Sequence, residues 1–325
     1  MNILIADKLE KSAVDALGKL GATVAFEPAA GVEGLVAAIE RTRPEVVIVR
    51  STKVPAPVLQ GAKGLRAIIR AGAGVDNIDV PAATAQGIRV CNCPGTNSIA
   101  VAELAMGLLL ACDRRIPDQT AEIKGGKWNK KEFSTKARGL KGSTLGIIGL
   151  GAIGQAVAKR ALAFEMSVIG WDKFLNAQQG TALGVRWGGS DRAELLKMVA
   201  SCNAVTVHVA LVPETKQMCN AEFFAAMQPG SIFINTSRGG IVDEAALREA
   251  VKSKGLRCGL DVYDGQPSTP QGDFVTPTAQ LSGCTFTNHC GASTDQAQAA
   301  VAEETVRIVK VFMETGRLEN CVNPK

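Results

Sequence analysis

Residues 149–154 read Gly149-Leu150-Gly151-Ala152-Ile153-Gly154, and this stretch constrains the chain more than any other segment. Thr144-Leu145-Gly146-Ile147-Ile148 precedes it as a short apolar run, and a helical pattern follows. When a strand turns through spaced glycines into a helix, each glycine has a physical reason. One permits the tight turn, one lets a bound group approach the backbone, and one lets helix and strand pack closely. The free N–H groups of the helix start then face negative charge. Asp172 lies about twenty residues on, at the end of a second apolar run, where a carboxylate accepts from ribose hydroxyls and repels a 2′-phosphate. Glycine-rich turns also occur as plain structure. Strand, helix and acid together point to a dinucleotide, and Asp172 points to NAD. Lys173 beside it is a cation that tolerates the extra phosphate, so the preference over NADP rests on Asp172.

The rest of the chain repeats the same alternation. Residues 3–5, 23–26, 46–49, 67–69 and 88–90 are short β-branched runs separated by amphipathic or Gly/Pro-punctuated segments. A helical pattern runs from Ser98, a plausible N-cap, to a break at Pro117, and a polar, Lys-rich stretch fills 124–141. A second series of strands begins at 144 and continues at 167–170, 204–207, 231–234, 259–260 and 285–287. A helix over about 294–314 ends the chain and is long enough to return to the first series. The expected fold is α/β, with two doubly wound parallel-sheet domains. A Rossmann NAD-binding domain over residues 99–290 is inserted into a flavodoxin-like substrate domain built from 1–98 plus 291–325. Ligands are expected in the cleft at the domain junction, at the carboxyl ends of strands.

Composition narrows the function classes. Hydrophobic residues at 46 % suffice for two cores. A formal charge of +5 without a basic run argues against nucleic acid and suits a binder of small anions. No signal peptide is evident, and the apolar stretch near 100–112 carries Glu103 and is too short to span a bilayer. The nine cysteines are irregularly spaced, and Cys91-Asn92-Cys93 lacks the spacing of a redox pair or zinc knuckle. Free thiols in a cytoplasmic protein without a metal are expected.

Five blocks carry a resemblance to the D-2-hydroxyacid dehydrogenase family over nearly the whole chain. They are the glycine turn, Arg70-Ala71-Gly72-Ala73-Gly74-Val75-Asp76-Asn77, Asn97-Ser98-Ile99-Ala100-Val101-Ala102-Glu103, residues 235–243 and Asn288-His289-Cys290-Gly291-Ala292-Ser293. The likeness is greatest to the branch that oxidises 3-phospho-D-glycerate to 3-phosphohydroxypyruvate at the entry to serine synthesis, in a short form without a C-terminal regulatory domain. It implies an NAD-dependent oxidoreductase and a homodimer, the 98–117 helix lying either in the core or at the dimer interface. Without a regulatory domain, inhibition by serine is not expected.

The resemblance also implies roles for single residues. Arg238 matches the catalytic arginine, which also binds substrate, and His289 matches the acid/base. Cofactor contacts are implied for Gly149, Gly151, Ala152, Ile153, Gly154, Asp172, Val209, Thr236, Ser237, Arg238, Asp261, His289, Gly291 and Ala292. Substrate contacts are implied for Arg50, Arg70, Ala73, Gly74 and Asn97, and for Lys130 from a partner subunit. The chemistry fits these residue types. An imidazole takes the hydroxyl proton near neutral pH, and a guanidinium holds a carboxylate and polarises the adjacent oxygen. His208 is the competing histidine and Asp261 reads equally as a strand-end cap. The three cations also read as solvated surface residues.

One position departs from the family. A glutamate is implied where this chain has Gln266, in Asp261-Val262-Tyr263-Asp264-Gly265-Gln266. An amide brings no charge to stabilise imidazolium, although it can still orient the ring. A less basic His289, a pH–rate profile displaced downward and slower turnover are the expected results. Two other readings stay open: a reductase for glyoxylate, hydroxypyruvate or another D-2-hydroxy acid, and an NAD(H)-binding sensor with weak or no catalysis.

Overall fold

A computed structural model describes residues 1–28, 31–135, 137–267 and 271–323 of the chain. It separates into two compact units. One comprises Met1–Asn97 with Ser293–Lys325, and the other is Ser98–Ala292.

The first unit contains five strands, β1 (Asn2–Ile5), β2 (Thr23–Phe26), β3 (Val46–Val49), β4 (Ala67–Arg70) and β5 (Arg89–Asn92). All pair in parallel, in the order β2-β1-β3-β4-β5. Parallel strands with helices on both faces bury both sets of side chains, so their sequences are near-continuous Val and Ile. Leu4, Val47, Ile68 and Val90 face one helical layer, with Leu35, Ile39 and Leu59. Ile3, Ile5, Val46, Ile48 and Ile69 face the other. That second layer is closed by the helix Asp295–Thr315, whose Ile308, Val309 and Phe312 are buried there. Thr294 caps this helix by accepting from Ala297 N–H at 3.2 Å, and Gly316 ends it in a left-handed conformation.

After that helix the chain runs antiparallel along the edge strand β5. Asn92 N–H donates to Asn320 O at 3.2 Å and Val322 N–H to Val90 O at 2.9 Å. Asn323 completes the cover, its Oδ1 accepting from Val90 N–H at 2.8 Å. A sheet edge left open presents unpaired N–H and C=O groups. Here residues 320–323 satisfy those of β5, and they place Cys321 directly opposite Cys91.

The second unit has seven strands: β6 (Thr144–Ile148), β7 (Ser167–Trp171), β8 (Arg186–Trp187), β9 (Ala204–Val207), β10 (Ile232–Asn235), β11 (Arg257–Leu260) and β12 (Thr285–Phe286). Their order is β12-β11-β10-β9-β6-β7-β8, again all parallel. The reversal falls between β6 and β9, and ligands bind beyond the carboxyl ends of strands at such a point. Phe223, Phe224 and Phe233 anchor one face with ring centroids 5.2–6.0 Å apart, all edge-on. Each such pair adds about 0.5–1.5 kcal/mol beyond area burial.

Local boundaries differ from the sequence reading in three places. Ser98 is the first helical residue of Ser98–Arg114 and is buried, so it lies inside the helix and Asn97 flanks it. The break near 117 is made by Arg115, which adopts a left-handed conformation (φ 51). Pro117 instead occupies the first turn of the next helix, Ile116–Lys124, where its missing N–H is not needed. The polar stretch 124–141 contains a further short helix, Lys130–Ser134. No helix among the described residues is long and apolar enough to cross a membrane.

Candidate cofactor and catalytic site

The glycine turn lies at the carboxyl end of β6, at the point where strand order reverses. Gly149 has φ +91, and a Cβ there would meet His208 O at 2.5 Å and Val209 Cγ1 at 2.9 Å. Any side chain would therefore be both strained and blocked, and the ends of β6 and β9 close against each other only because it is absent. At Gly154 a Cβ would lie 1.9 Å from Gly149 O, which is the close helix-to-turn packing expected of a third glycine. Gly151 differs. Its φ is an ordinary −65, and among the described residues nothing beyond its chain neighbours lies within 4 Å of its Cβ position. The described polypeptide makes no steric demand for glycine there.

Gly151 is the N-cap of the helix Ala152–Ala163, and no side chain of the described residues caps that end. The N–H groups of the first turn, including those of Ala152 and Ile153, have no intrahelical acceptors and carry the positive end of the helix dipole. Asp172 follows β7, beside the turn. Its Oδ2 accepts from Leu150 N–H at 2.8 Å, and its Oδ1 accepts from Phe174 and Leu175 N–H at 2.8 and 3.2 Å. The acid thus fixes the turn while staying half-buried at the strand end.

Beyond β10 the chain makes a second tight turn. Asn235 accepts from Ser237 N–H at 2.9 Å and donates from Nδ2 to Arg238 O at 2.9 Å, folding the segment on itself. Ser237 Oγ donates to Val207 O at 2.7 Å, tying this loop to the end of β9. Thr236 Oγ1 is buried and has no hydrogen-bond partner among the described residues. Such an orphan costs about 1–3 kcal/mol unless a ligand or water meets it. Arg238 is half-buried with Nη1 donating to Ser237 O at 2.7 Å. At Gly239 a Cβ would sit 2.0 Å from the Tyr263 carbonyl carbon, so the Arg238 turn packs directly on the Tyr263–Asp264 backbone beyond β11.

His289 is held from both sides. Asp261, 1 % exposed, accepts from Thr287 Oγ1 at 2.6 Å and from Cys290 and Gly291 N–H at 2.9 Å each. One carboxylate thereby clamps the residues flanking His289, which itself takes a left-handed φ of 50. The imidazole is exposed, and its Nδ1 meets Gln266 Nε2. Gln266 Oε1 accepts from Tyr263 N–H at 3.0 Å. The Tyr263 hydroxyl lies 3.1 Å from Leu260 O and 2.9 Å from Thr287 O, fixing the residue that orients Gln266.

His208 is a different kind of histidine. Its Nε2 is 2.9 Å from Thr206 Oγ1, and its Nδ1 is enclosed without a partner among the described residues. Burial alone pushes its pKa down to about 3. The ring is therefore neutral near pH 7.

The remaining anticipated residues belong mostly to the first unit. Arg50 directly follows β3 and Arg70 ends β4, whose register sets Val49 opposite Arg70, so the two cations emerge from neighbouring strand ends. Arg50 Nη1 donates to Gln298 Oε1 at 3.1 Å. The Arg70 guanidinium lies over Gly72, where a Cβ would stand 1.6 Å from Nη1. Ala73 O accepts from Asn92 Nδ2 at 2.5 Å, which holds the Ala73-Gly74 loop to the end of β5. Asn97 Oδ1 is buried without a partner among the described residues. Lys130 is exposed and lies in the second unit, at the start of Lys130–Ser134.

Three contributors escape the sequence reading. Thr206 engages His208, Tyr263 orients Gln266, and Asp7 accepts from the N–H groups of Arg50, Ser51 and Thr52 at 2.6, 3.0 and 2.9 Å. Only Asp7 left a signal, as an acid just after the first strand.

The chain as a whole is similar to known proteins. The profile of the D-isomer specific 2-hydroxyacid dehydrogenase NAD-binding domain matches residues 106–291. The chain is 40 % identical to D-3-phosphoglycerate dehydrogenase of Archaeoglobus fulgidus over 316 residues, which is 95 % of this chain and 58 % of that one. It thus spans under two thirds of that relative. It is 43 % identical to hydroxypyruvate reductase of Thermotoga maritima over 274 residues, 84 % of this chain and 85 % of that protein. Among solved structures, the TT0316 protein of Thermus thermophilus superposes with a TM-score of 0.86 at 32 % identity, covering 99 % and 100 % of the two chains. The chain belongs to the D-isomer specific 2-hydroxyacid dehydrogenase family and carries its NAD-binding domain.

Proposed function

We propose that the protein oxidises 3-phospho-D-glycerate to 3-phosphohydroxypyruvate with NAD. The observation that carries the substrate is the pair of cations at adjacent strand ends, Arg50 after β3 and Arg70 at the end of β4, beside the Ala73-Gly74 loop. Two guanidiniums suit a phosphate, and the glycine-bearing loop offers backbone N–H groups to a carboxylate. The open space at Gly151 and the unpartnered Thr236 Oγ1 fit a bound dinucleotide.

A bound nicotinamide would supply the acceptor for the hydride at C2 of the hydroxy acid. The chain's own residues do the rest. The helix start at Gly151, with Ala152, Ile153 and Val209, would hold the pyrophosphate, and Asp172 would accept from the ribose hydroxyls. Thr236, Ser237, Gly291 and Ala292 would hold the nicotinamide end, and Asp261 holds the segment that carries His289. Arg238 engages the carboxylate and the C2 oxygen, and His289 takes the hydroxyl proton. Asn97 contacts the substrate. A homodimer, with Lys130 supplied across the interface, belongs to the same proposal. It is supported by the exposure of Ile116, Ile123 and Trp128 on and beside the helix Ile116–Lys124. Six residues of Ser98–Arg114, Ala102, Ala105, Met106, Leu108, Leu109 and Cys112, lie in a core cluster of the second unit, which supports core packing for that helix.

Reduction of hydroxypyruvate is the second reading, favoured by the match to the Thermotoga enzyme over most of its length. Assays of 3-phosphoglycerate oxidation and of NADH-dependent hydroxypyruvate and glyoxylate reduction, on the same preparation, separate the two. The first reading expects oxidation that is lost in His289→Ala and has a strongly raised KM in Arg50→Ala. Turnover of hydroxypyruvate alone, indifferent to Arg50→Ala, overturns it. Tight NADH binding with no turnover of any acid leaves an NAD(H) sensor.

A further inference from the structure

The amide of Gln266 has only one chemically sensible orientation. Tyr263 N–H can only donate, so the group facing it at 3.0 Å must be the amide oxygen. The NH2 group is thereby turned the other way, where it meets His289 Nδ1. An amide NH2 has no acceptor capacity, so Nδ1 must accept through its ring lone pair. A neutral imidazole carries one proton, and with Nδ1 accepting, that proton sits on Nε2. Tyr263 is itself fixed, its hydroxyl at 3.1 and 2.9 Å from two carbonyl oxygens and its backbone packed against Gly239.

We propose that Gln266, oriented by Tyr263 N–H, locks resting His289 as the Nε2–H tautomer, so that the ring nitrogen remote from Gln266 is a hydrogen-bond donor and not a base. A carboxylate at the same place does the opposite. One of its oxygens takes Tyr263 N–H, the other takes Nδ1–H, and Nε2 is left to accept a proton. Exchanging a single oxygen for NH2 therefore inverts the tautomer. The functional consequence rests on the dehydrogenase reading. To receive the hydroxyl proton at Nε2, the ring must first release its Nε2 proton to water and take another from water at Nδ1, with no net change. That exchange requires the amide to turn over, which sets its NH2 against Tyr263 N–H, donor facing donor. Oxidation of a hydroxy acid is therefore handicapped in this chain. An Nε2–H already in place suits the opposite direction, where it donates to a carbonyl oxygen gaining negative charge.

The chain has two histidines, which makes the tautomer directly readable by long-range 1H–15N correlation of the imidazole nitrogens. His208→Gln identifies the second set of signals. The expected result is Nε2–H for His289 in the wild type and Nδ1–H in Gln266→Glu, with Gln266→Ala giving a mixture. Gln266→Glu is also expected to raise kcat for oxidation by roughly 10- to 100-fold, the scale of a well-placed general base, with little change in KM. An Nδ1–H signal in the wild type overturns the proposal, whatever the activity. An Nε2–H signal that switches in Gln266→Glu upholds the tautomer assignment. If neither protein then turns over any acid, the dehydrogenase reading alone falls.

Discussion

Leu150 N–H donates to Asp172 Oδ2 at 2.8 Å, so the acid at the end of β7 braces the glycine turn at the end of β6, and the proposed ribose contact and the proposed pyrophosphate site share one hydrogen bond. Removing it acts twice. Asp172→Ala is expected to weaken NADH binding by roughly 10- to 100-fold, from a lost charge-assisted contact and a loosened turn. Fluorescence titration with NADH and NADPH checks this. NADPH should gain relative to NADH as the repulsion of its 2′-phosphate disappears. Unchanged affinity for both would remove Asp172 from the site.

The glycines of the turn separate folding from binding. Gly149→Ala is expected to lower stability by more than about 2 kcal/mol, since it combines a left-handed φ with backbone 2.5 Å away. Gly151→Val should leave the thermal midpoint close to that of wild type, because the space at its Cβ is open, yet should abolish measurable NADH binding. Calorimetry with and without cofactor distinguishes the two. Equal losses of stability would show that Gly151 serves the fold.

His208 predicts an acid limb in stability. Its pKa in the folded chain, about 3, lies below the ordinary 6.5, so the unfolded chain takes up the proton first as pH falls. Its contribution is therefore full above pH 6.5 and declines toward pH 3, at up to about 1.4 kcal/mol per pH unit. Denaturant midpoints for wild type and His208→Gln should diverge at neutral pH and converge on acidification. Parallel curves would mean that the ring titrates in the folded chain as it does in the unfolded one.

Cys91 and Cys321 form a non-hydrogen-bonded antiparallel pair, the sheet position where Cα atoms approach most closely, and their sulfurs are 3.3 Å apart. Cys91 is buried, which pushes its thiol pKa up, whereas Cys321 is exposed. Diamide, which takes two protons and two electrons from a thiol pair, should join them with a mass loss of two hydrogens. Non-reducing peptide mapping should find Cys91 linked to Cys321, and Cys321→Ser should abolish the link. The bond joins the two sequence segments of the first unit and should add about 2–4 kcal/mol to its stability.

Much of this structure could be read in advance where burial writes a pattern. Strands such as Val46–Val49 are covered on both faces, and continuous Val and Ile report that directly. β8 was not legible. It has two residues, one of them Arg186, and it pairs only at the sheet edge. The left-handed Arg115 has no sequence signature, since a non-glycine residue there is held by its own ion pairs to Asp118 and Glu132 at 2.8 and 2.9 Å. The glycine turn was legible because Gly149 and Gly154 answer steric demands of the fold. The direction of the Gln266 amide was not, because it depends on one backbone N–H three residues earlier.

The first unit is completed by residues that come late in the chain. The helix Asp295–Thr315 and the strand cover at 320–323 close a sheet whose strands end at Asn92. During synthesis the second unit, a continuous stretch from Ser98 to Ala292, emerges whole in between. At about 5–20 residues per second the five-stranded sheet waits roughly 10–40 s with its Ile3, Ile48 and Ile69 face covered by the helix Lys11–Lys19 but not by Asp295–Thr315. All residues of the second unit are therefore synthesised before the last residues of the first. The opening ninety residues are the ones a nascent-chain chaperone would have to shield.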